Sequence, residues 1–218
     1  MRLPKDGMIE WGTHYTNTGK AFSDRTRVGF WFAKDPKFEV LSNVGAARSQ
    51  IVQGKELVDS QETPVVTTGA AANGPAVPVI PPFTKDWAIT AITAYPDDIT
   101  LYTLYPHMHL RGHEMHYVLT YPDGREQVLL SVPKYDFNWQ IFYELKEPVK
   151  VPGGSTIKTV GSYDNSPSNR WASEPQKEVY WSEQSWDEMY NGFRVYSVDK
   201  LMKKTPSNPQ TTVVGERR

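Results

Sequence analysis

The chain has 218 residues, of which 39% are hydrophobic, enough apolar material for one packed domain with additional segments. Its net charge is −1 and its basic residues are scattered, which argues against a nucleic-acid-binding protein. The absence of cysteine excludes disulfides, thiolate metal sites and cysteine nucleophiles. No segment approaches the roughly 20 apolar residues of a membrane span, and the first residues lack the apolar run of a signal peptide.

Aromatic and β-branched residues with regularly spaced turn signals predict an all-β fold, an antiparallel jelly-roll-like sandwich of about eight strands. Residues 8–15 and 28–32 are predicted to form two short strands, and residues 35–83 a linker and loop region rich in Pro, Gly and Ala near its end. Further strands are predicted at residues 87–95, 99–109, 114–121, 127–132, 137–145, 155–163, 178–181 and 189–198. The sequence Pro122–Gly124 predicts a tight hairpin turn, because Gly124 tolerates a positive φ.

The sharpest local feature is the sequence YPHMHLRGHEMH at residues 105–116. Side chains two residues apart in a strand project from the same face, so His107 and His109 can offer two imidazoles to one metal ion, while Met108 points the other way. The pattern also fits two polar residues on a wet face. His113 and His116 lie in the same stretch, but the strand register after Gly112 is open.

A site with two imidazoles needs a third ligand, and no histidine follows His116. The segment WSEQSWDEMYNGFRVY offers Asp187, Glu188 and Met189. A thioether is a soft ligand that selects Cu(I), whereas a carboxylate at this place would favour zinc or iron. The residue types alone leave this choice open.

The sequences PHMHLRG and WDEMYNGF together resemble the copper type II, ascorbate-dependent monooxygenases, a family that includes peptidylglycine α-hydroxylating monooxygenase, dopamine β-monooxygenase and bacterial relatives. In that family the HxH pair and a downstream methionine bind the copper that activates dioxygen. The resemblance implies these roles for His107, His109 and Met189. The stretch IEWGTHYTNTGKAFSDRTRVGF resembles the family's HY motif, which implies that His14 is one ligand of a second, electron-transfer copper.

The resemblance implies an enzyme that hydroxylates a C–H bond of a small substrate with dioxygen and electrons from ascorbate or another reductant. Tyr105, Asn191 and Phe193 are the candidates to line the substrate pocket. Tyr105 stands where peptide-amidating members carry an arginine for the substrate carboxylate, and Phe193 lacks the hydroxyl found there in those members. A peptide C-terminus is therefore not the expected substrate.

Family members have two similar β-sandwich domains, and the second copper takes its other two ligands from an adjacent His-His pair in the first domain. This chain has 5 His and no adjacent pair. The expected organisation is therefore a terminal hairpin of a largely missing first copper domain at 1–34, a linker and loop region at 35–83, a copper-binding sandwich at 84–200 and a disordered tail at 201–218. The resemblance implies one complete copper site, a second, incomplete one, and a periplasmic or secreted protein.

Two other interpretations remain open at this point. The spacing of His107, His109 and Glu114 also fits a cupin-like metal enzyme, although a cupin needs a later histidine that this chain lacks. Alternatively, the chain is a non-catalytic copper-binding or structural β-domain, because its electron-transfer site lacks most of its ligands.

Overall fold

The computed structural model describes residues 6–9, 11–13, 15, 18–32, 49–53, 56–60 and 79–201, with residues 49–60 and 201 described by their backbone alone. Within these residues there are nine strands, one short 3-10 helix at Asp199–Leu201 and no α-helix. None of the described helical residues form a segment long and apolar enough to cross a membrane. The strands are β1 (Ser49–Gln53), β2 (Glu56–Ser60), β3 (Trp87–Tyr95), β4 (Ile99–His107), β5 (Gly112–Thr120), β6 (Glu126–Val132), β7 (Tyr143–Val151), β8 (Ser155–Tyr163) and β9 (Asn191–Val198).

Two antiparallel sheets pack against each other. The larger sheet has the strand order β2-β1-β3-β8-β5-β6, and the smaller sheet has the order β7-β4-β9. The prediction of an all-β, antiparallel β-sandwich is confirmed. The β5–β6 hairpin is also confirmed, with φ of +85° at Gly124 and a hydrogen bond from its N–H to the carbonyl of Tyr121 (2.9 Å).

The core lies between the sheets because one face of the central strands β3, β4, β5 and β8 is mostly apolar. Leu104 and Met108 from the β4 region meet Met115, Tyr117 and Leu119 of β5, and all five side chains are fully buried. Alternation along β4 therefore directs the intervening side chains, including those of residues 105 and 107, to the outer face of the smaller sheet. The candidate site lies on that outer face.

A buried arginine links the two sheets across this core. Arg194 of β9 donates to the hydroxyl of Thr93 on β3 (3.0 Å) and to the hydroxyl of Thr159 on β8 (2.7 Å). Its guanidinium also lies 5.9 Å from the ring of Tyr117. These contacts fix β9, the strand that follows Met189, against the larger sheet.

Several boundaries differ from the sequence prediction. The strand predicted at residues 137–145 begins only at Tyr143 and continues to Val151, because its first residues form a turn in which the N–H of Trp139 donates to the carbonyl of Asp136 (2.8 Å). The prediction of a strand at 178–181 is wrong, since Val179 and Trp181 make isolated bridges only. β4 ends at His107, so His109 lies in the turn that leads to β5.

The N-terminal part of the chain also differs. No strand forms in the described parts of residues 8–15 and 28–32, where Met8 is 97% and Trp31 92% exposed, and an unsupported hairpin is marginal in water. In contrast, β1 and β2 lie within the segment predicted as linker and loop, and β1 pairs with β3. The predicted tail beyond residue 201 lies outside the described residues.

Candidate metal centre

Pairing between β4 and β9 brings the histidines and the methionine together. The last register pair of the two strands is His107 with Asn191, and Met189 lies two residues before Asn191. The Nε2 atom of His107 is 3.3 Å from the Sδ atom of Met189. The ring of His109 is 5.2 Å from the ring of His107, at an angle of 86°. The structure thus gathers two imidazoles and one thioether at the end of the smaller sheet.

A side-chain amide orients the first imidazole. Nδ1 of His107 donates to Oε1 of Gln140 (2.5 Å), and Nε2 of Gln140 donates to the carbonyl of Phe137 (2.7 Å), which fixes which end of the amide faces the ring. Because the amide oxygen can only accept, Nδ1 carries the proton and Nε2 carries the lone pair directed at Met189. This is the tautomer that a metal ligand needs.

The second imidazole is oriented by backbone. Nδ1 of His109 donates to the carbonyl of Asp187 (3.2 Å), which again places the lone pair on Nε2. Burial lowers the pKa of His109, and the neighbouring His107 acts in the same direction. Both effects favour the neutral ring that binds metals.

A buried carboxylate joins the two segments that carry the ligands. Glu188, which is 0% exposed, accepts the N–H of His109 (2.7 Å) on one oxygen and the N–H of Arg111 (2.5 Å) on the other. Burial raises the pKa of Glu188 to about 8, against the opposing effect of these N–H donors and of the Arg111 guanidinium. The carboxylate fixes the position of Met189, the next residue, relative to His109.

The turn between the histidines and β5 is fixed from its other side as well. The hydroxyl of Tyr135 accepts the N–H of Met108 (3.0 Å) and donates to its carbonyl (2.6 Å). Arg111 donates to the carbonyl of Trp186 (2.6 Å), which ties the turn to the segment before Met189 a second time. A side chain at Gly112 would meet the Cβ of Met108 at 2.7 Å, so the close packing of this turn requires glycine.

The three residues predicted to line a substrate pocket lie around the ligands. Nδ2 of Asn191 is 3.6 Å from Sδ of Met189, and the ring of Phe193 is 6.3 Å from the ring of His107. Tyr105 stacks beside Phe193 at 5.7 Å. Sequence reasoning did not identify Gln140 as a partner of His107, because no local signal connects residues 33 positions apart.

The remaining histidines are elsewhere. His113 and His116 both lie on β5 of the larger sheet. His113 contacts Asp86 (3.2 Å), and His116 contacts Glu114 (3.2 Å). Within the described part of the chain, no three His, Asp or Glu side chains are close enough to hold a metal ion. The alternative set of His107, His109 and Glu114 is therefore wrong, because β5 carries Glu114 in the other sheet. His14 lies outside the described residues.

The spacing of two of the candidate donors can be compared with that of ligands on one metal ion. Two ligands at roughly 2.0 and 2.3 Å from a tetrahedral ion stand about 3.5 Å apart. The separation of 3.3 Å between His107 Nε2 and Met189 Sδ is close to this value. No family model matches the chain, and a search of curated proteins gives no significant match.

The Glu188 clamp makes a stability prediction. Replacing Glu188 with Gln leaves one acceptor oxygen for two buried N–H groups, so the free energy of unfolding should fall by about 1–3 kcal/mol. Chemical denaturation of both proteins measures this difference. Glu183→Gln, at an exposed position of the same loop, is the matched control and should change stability little. Equal stability of the two variants would show that the carboxylate does not hold the turn.

Proposed function

We propose that this chain binds one copper ion through His107, His109 and Met189 and acts as a copper-dependent monooxygenase domain. The observation that carries the proposal is the approach of His107 Nε2 to Met189 Sδ, at 3.3 Å, while the Nδ1 atoms of both imidazoles donate to fixed acceptors. If these side chains served only for packing, there would be no reason for both imidazole rings to be held in one tautomer beside a thioether.

The chemistry of the donors favours copper over zinc. All three donors are neutral, and thioethers prefer Cu(I) among the common biological metals. Structural zinc sites instead use thiolate, imidazole and carboxylate ligands. The Asp187 carboxylate accepts the hydroxyl of Ser182 (2.6 Å) and Glu188 accepts two N–H groups, so both carboxylates have partners other than the imidazole rings.

Bound copper would supply the redox activation of dioxygen, with electrons from ascorbate or another reductant, for hydroxylation of a C–H bond in a small substrate. The chain itself contributes three ligands and leaves further coordination positions open. Met189 is half-buried, so the site remains accessible from the outer face of the smaller sheet. Tyr105, Asn191 and Phe193 surround that opening and would orient the substrate.

A second candidate function is copper binding without catalysis, in which this chain alone does not carry out the reaction. The described residues contain no group of three metal-binding His, Asp or Glu side chains that could hold an electron-transfer copper. An electron-transfer copper held partly by His14 would need a His-His pair from a further domain, which is the partner we propose for the catalytic form. The resemblance to the copper monooxygenases also leads us to propose a periplasmic or secreted location.

The thioether ligand is tested by Met189→Ile, which keeps an apolar side chain of similar size and removes the sulfur. Affinity for Cu(I) should fall on the order of tenfold or more, since two imidazoles remain without a soft third ligand. Competition with a chromophoric Cu(I) chelator measures the affinity, and the wild-type chain should bind about one tight equivalent. Met8→Ile, at a fully exposed methionine, is the control.

Unchanged Cu(I) affinity in Met189→Ile would exclude the thioether as a ligand. Tight binding of two equivalents by the wild-type chain would contradict the expectation of a single complete site. Circular dichroism of each variant shows whether the fold is retained.

The role of Gln140 gives a separate test. Gln140→Leu removes the acceptor for His107 Nδ1, and loss of such a partner should weaken Cu(I) binding roughly 10- to 100-fold. The same chelator competition measures the change. Gln176→Leu, at an exposed position, should bind copper like the wild type. If Gln140→Leu also binds normally, the amide does not orient the ring.

A further inference from the structure

The outer face of the smaller sheet carries an aromatic row, formed by Phe142, Tyr105 and Phe193. Tyr105 lies on β4 and Phe193 on β9, and Phe142 immediately precedes β7, so the three rings line up across the sheet. The ring of Tyr105 lies 4.5 Å from that of Phe142 at 17° and 5.7 Å from that of Phe193 at 14°. A sheet face turned away from the core is ordinarily polar, so three aligned rings there need an explanation.

The aromatic row adjoins the proposed metal ligands. The ring of Tyr105 stacks at 6.2 Å from the ring of His107, and the ring of Phe193 is 6.3 Å from it. A molecule resting on the row would therefore lie beside His107 and Met189. The row is separate from the hydrophobic core. The core side chains of this segment, Leu104 and Met108, project from the opposite face of the smaller sheet.

The row is open to solvent at one end. Phe142 is 54% exposed, and the neighbouring Trp139 and Ile141 are 64% and 40% exposed. Exposed apolar side chains that adjoin one another mark binding surfaces more often than chance exposure does. An apolar molecule could bury these side chains without displacing any part of the fold.

The polar groups beside the row are neutral. The hydroxyl of Tyr105 donates to the amide oxygen of Gln140 (3.4 Å), and the amide of Asn191 contacts the sulfur of Met189 (3.6 Å). Glu144, opposite Thr103 on the same face, is exposed to solvent, so an ion pair with it would be screened and weak. A charge on a bound molecule would therefore lose water at the row with little ionic compensation.

Resting on the proposed function, we propose that the substrate is an uncharged aromatic compound of one or two rings, bearing at most a small neutral polar group, that stacks on the aromatic row beside His107. The rings supply the apolar contact, and the amides of Gln140 and Asn191 supply hydrogen bonds to a hydroxyl or ether. Substrates that are recognised through a carboxylate or an ammonium group are excluded by the same surroundings.

Ligand binding to the metal-free protein tests this substrate class. The probes are 4-methylphenol, benzoate and benzylamine, which share one ring and differ in charge at neutral pH. NMR signals of the Gln140 and Asn191 side-chain amides report binding at the row. We expect 4-methylphenol to shift both signals and to bind on the order of tenfold more tightly than either charged probe.

A variant of the exposed ring locates the contact. Phe142→Ala should weaken binding of 4-methylphenol roughly two- to tenfold, the contribution of one aromatic pair. Trp171→Ala removes another exposed aromatic side chain, outside the row, and should leave the affinity unchanged. Phe142 is more than half exposed, so its replacement should not impair folding.

Three results would overturn the proposal: no saturable binding of 4-methylphenol, binding of a charged probe as tight as that of the phenol, or equal effects of Phe142→Ala and Trp171→Ala. Because no copper is present in these titrations, such a result leaves the chelator experiments on Met189 unaffected. Conversely, failure of the chelator experiments would not change the measured binding of 4-methylphenol to the aromatic row. The two proposals can therefore fail separately.

Discussion

The arrangement of the candidate site depends on the buried carboxylate of Glu188. Its two oxygens accept the N–H groups of His109 and Arg111, and these bonds connect the turn after β4 with the segment before β9. Because Met189 is the next residue, the carboxylate determines where the sulfur lies relative to the second imidazole. Burial raises the pKa of Glu188 to about 8, because the charged form of the carboxyl group loses its hydration at this junction. A buried carboxyl group with both oxygens hydrogen-bonded fixes the relative positions of the segments that it joins.

The unequal sheets explain why the site lies on an outer face. The larger sheet covers the inner face of β7-β4-β9, and Arg194 fastens β9 to Thr93 and Thr159 of that sheet. The inner face of β4 is therefore committed to packing, and its outer face can present His107 and Tyr105. The candidate site and the hydrophobic core thus occupy opposite faces of the same strand.

Local patterns predicted much of the fold from the sequence. β3 and β8 have the predicted boundaries, because alternation of apolar residues and flanking turn signals agree there. The same alternation predicted that His107 would leave the core face of β4. The N-terminal strands and the strand start at 137 were misplaced, since alternation of apolar residues does not show whether a segment pairs with a sheet, and a turn at Asp136 precedes β7. Glu188 was predicted only as a candidate metal ligand. Its bond to the N–H of His109 and the bond of Gln140 to His107 could not be predicted, because these partners are 79 and 33 residues distant and no sequence period encodes such contacts.

The most direct test of the central claim is X-ray absorption at the copper edge on the reduced, copper-loaded chain. The account predicts two imidazole nitrogens and one sulfur in the coordination shell, with the sulfur at roughly 2.3 Å. The chain has no cysteine, so a sulfur neighbour can only come from methionine. A shell of nitrogen and oxygen alone, or a sulfur signal that persists in Met189→Ile, would contradict the copper site described above.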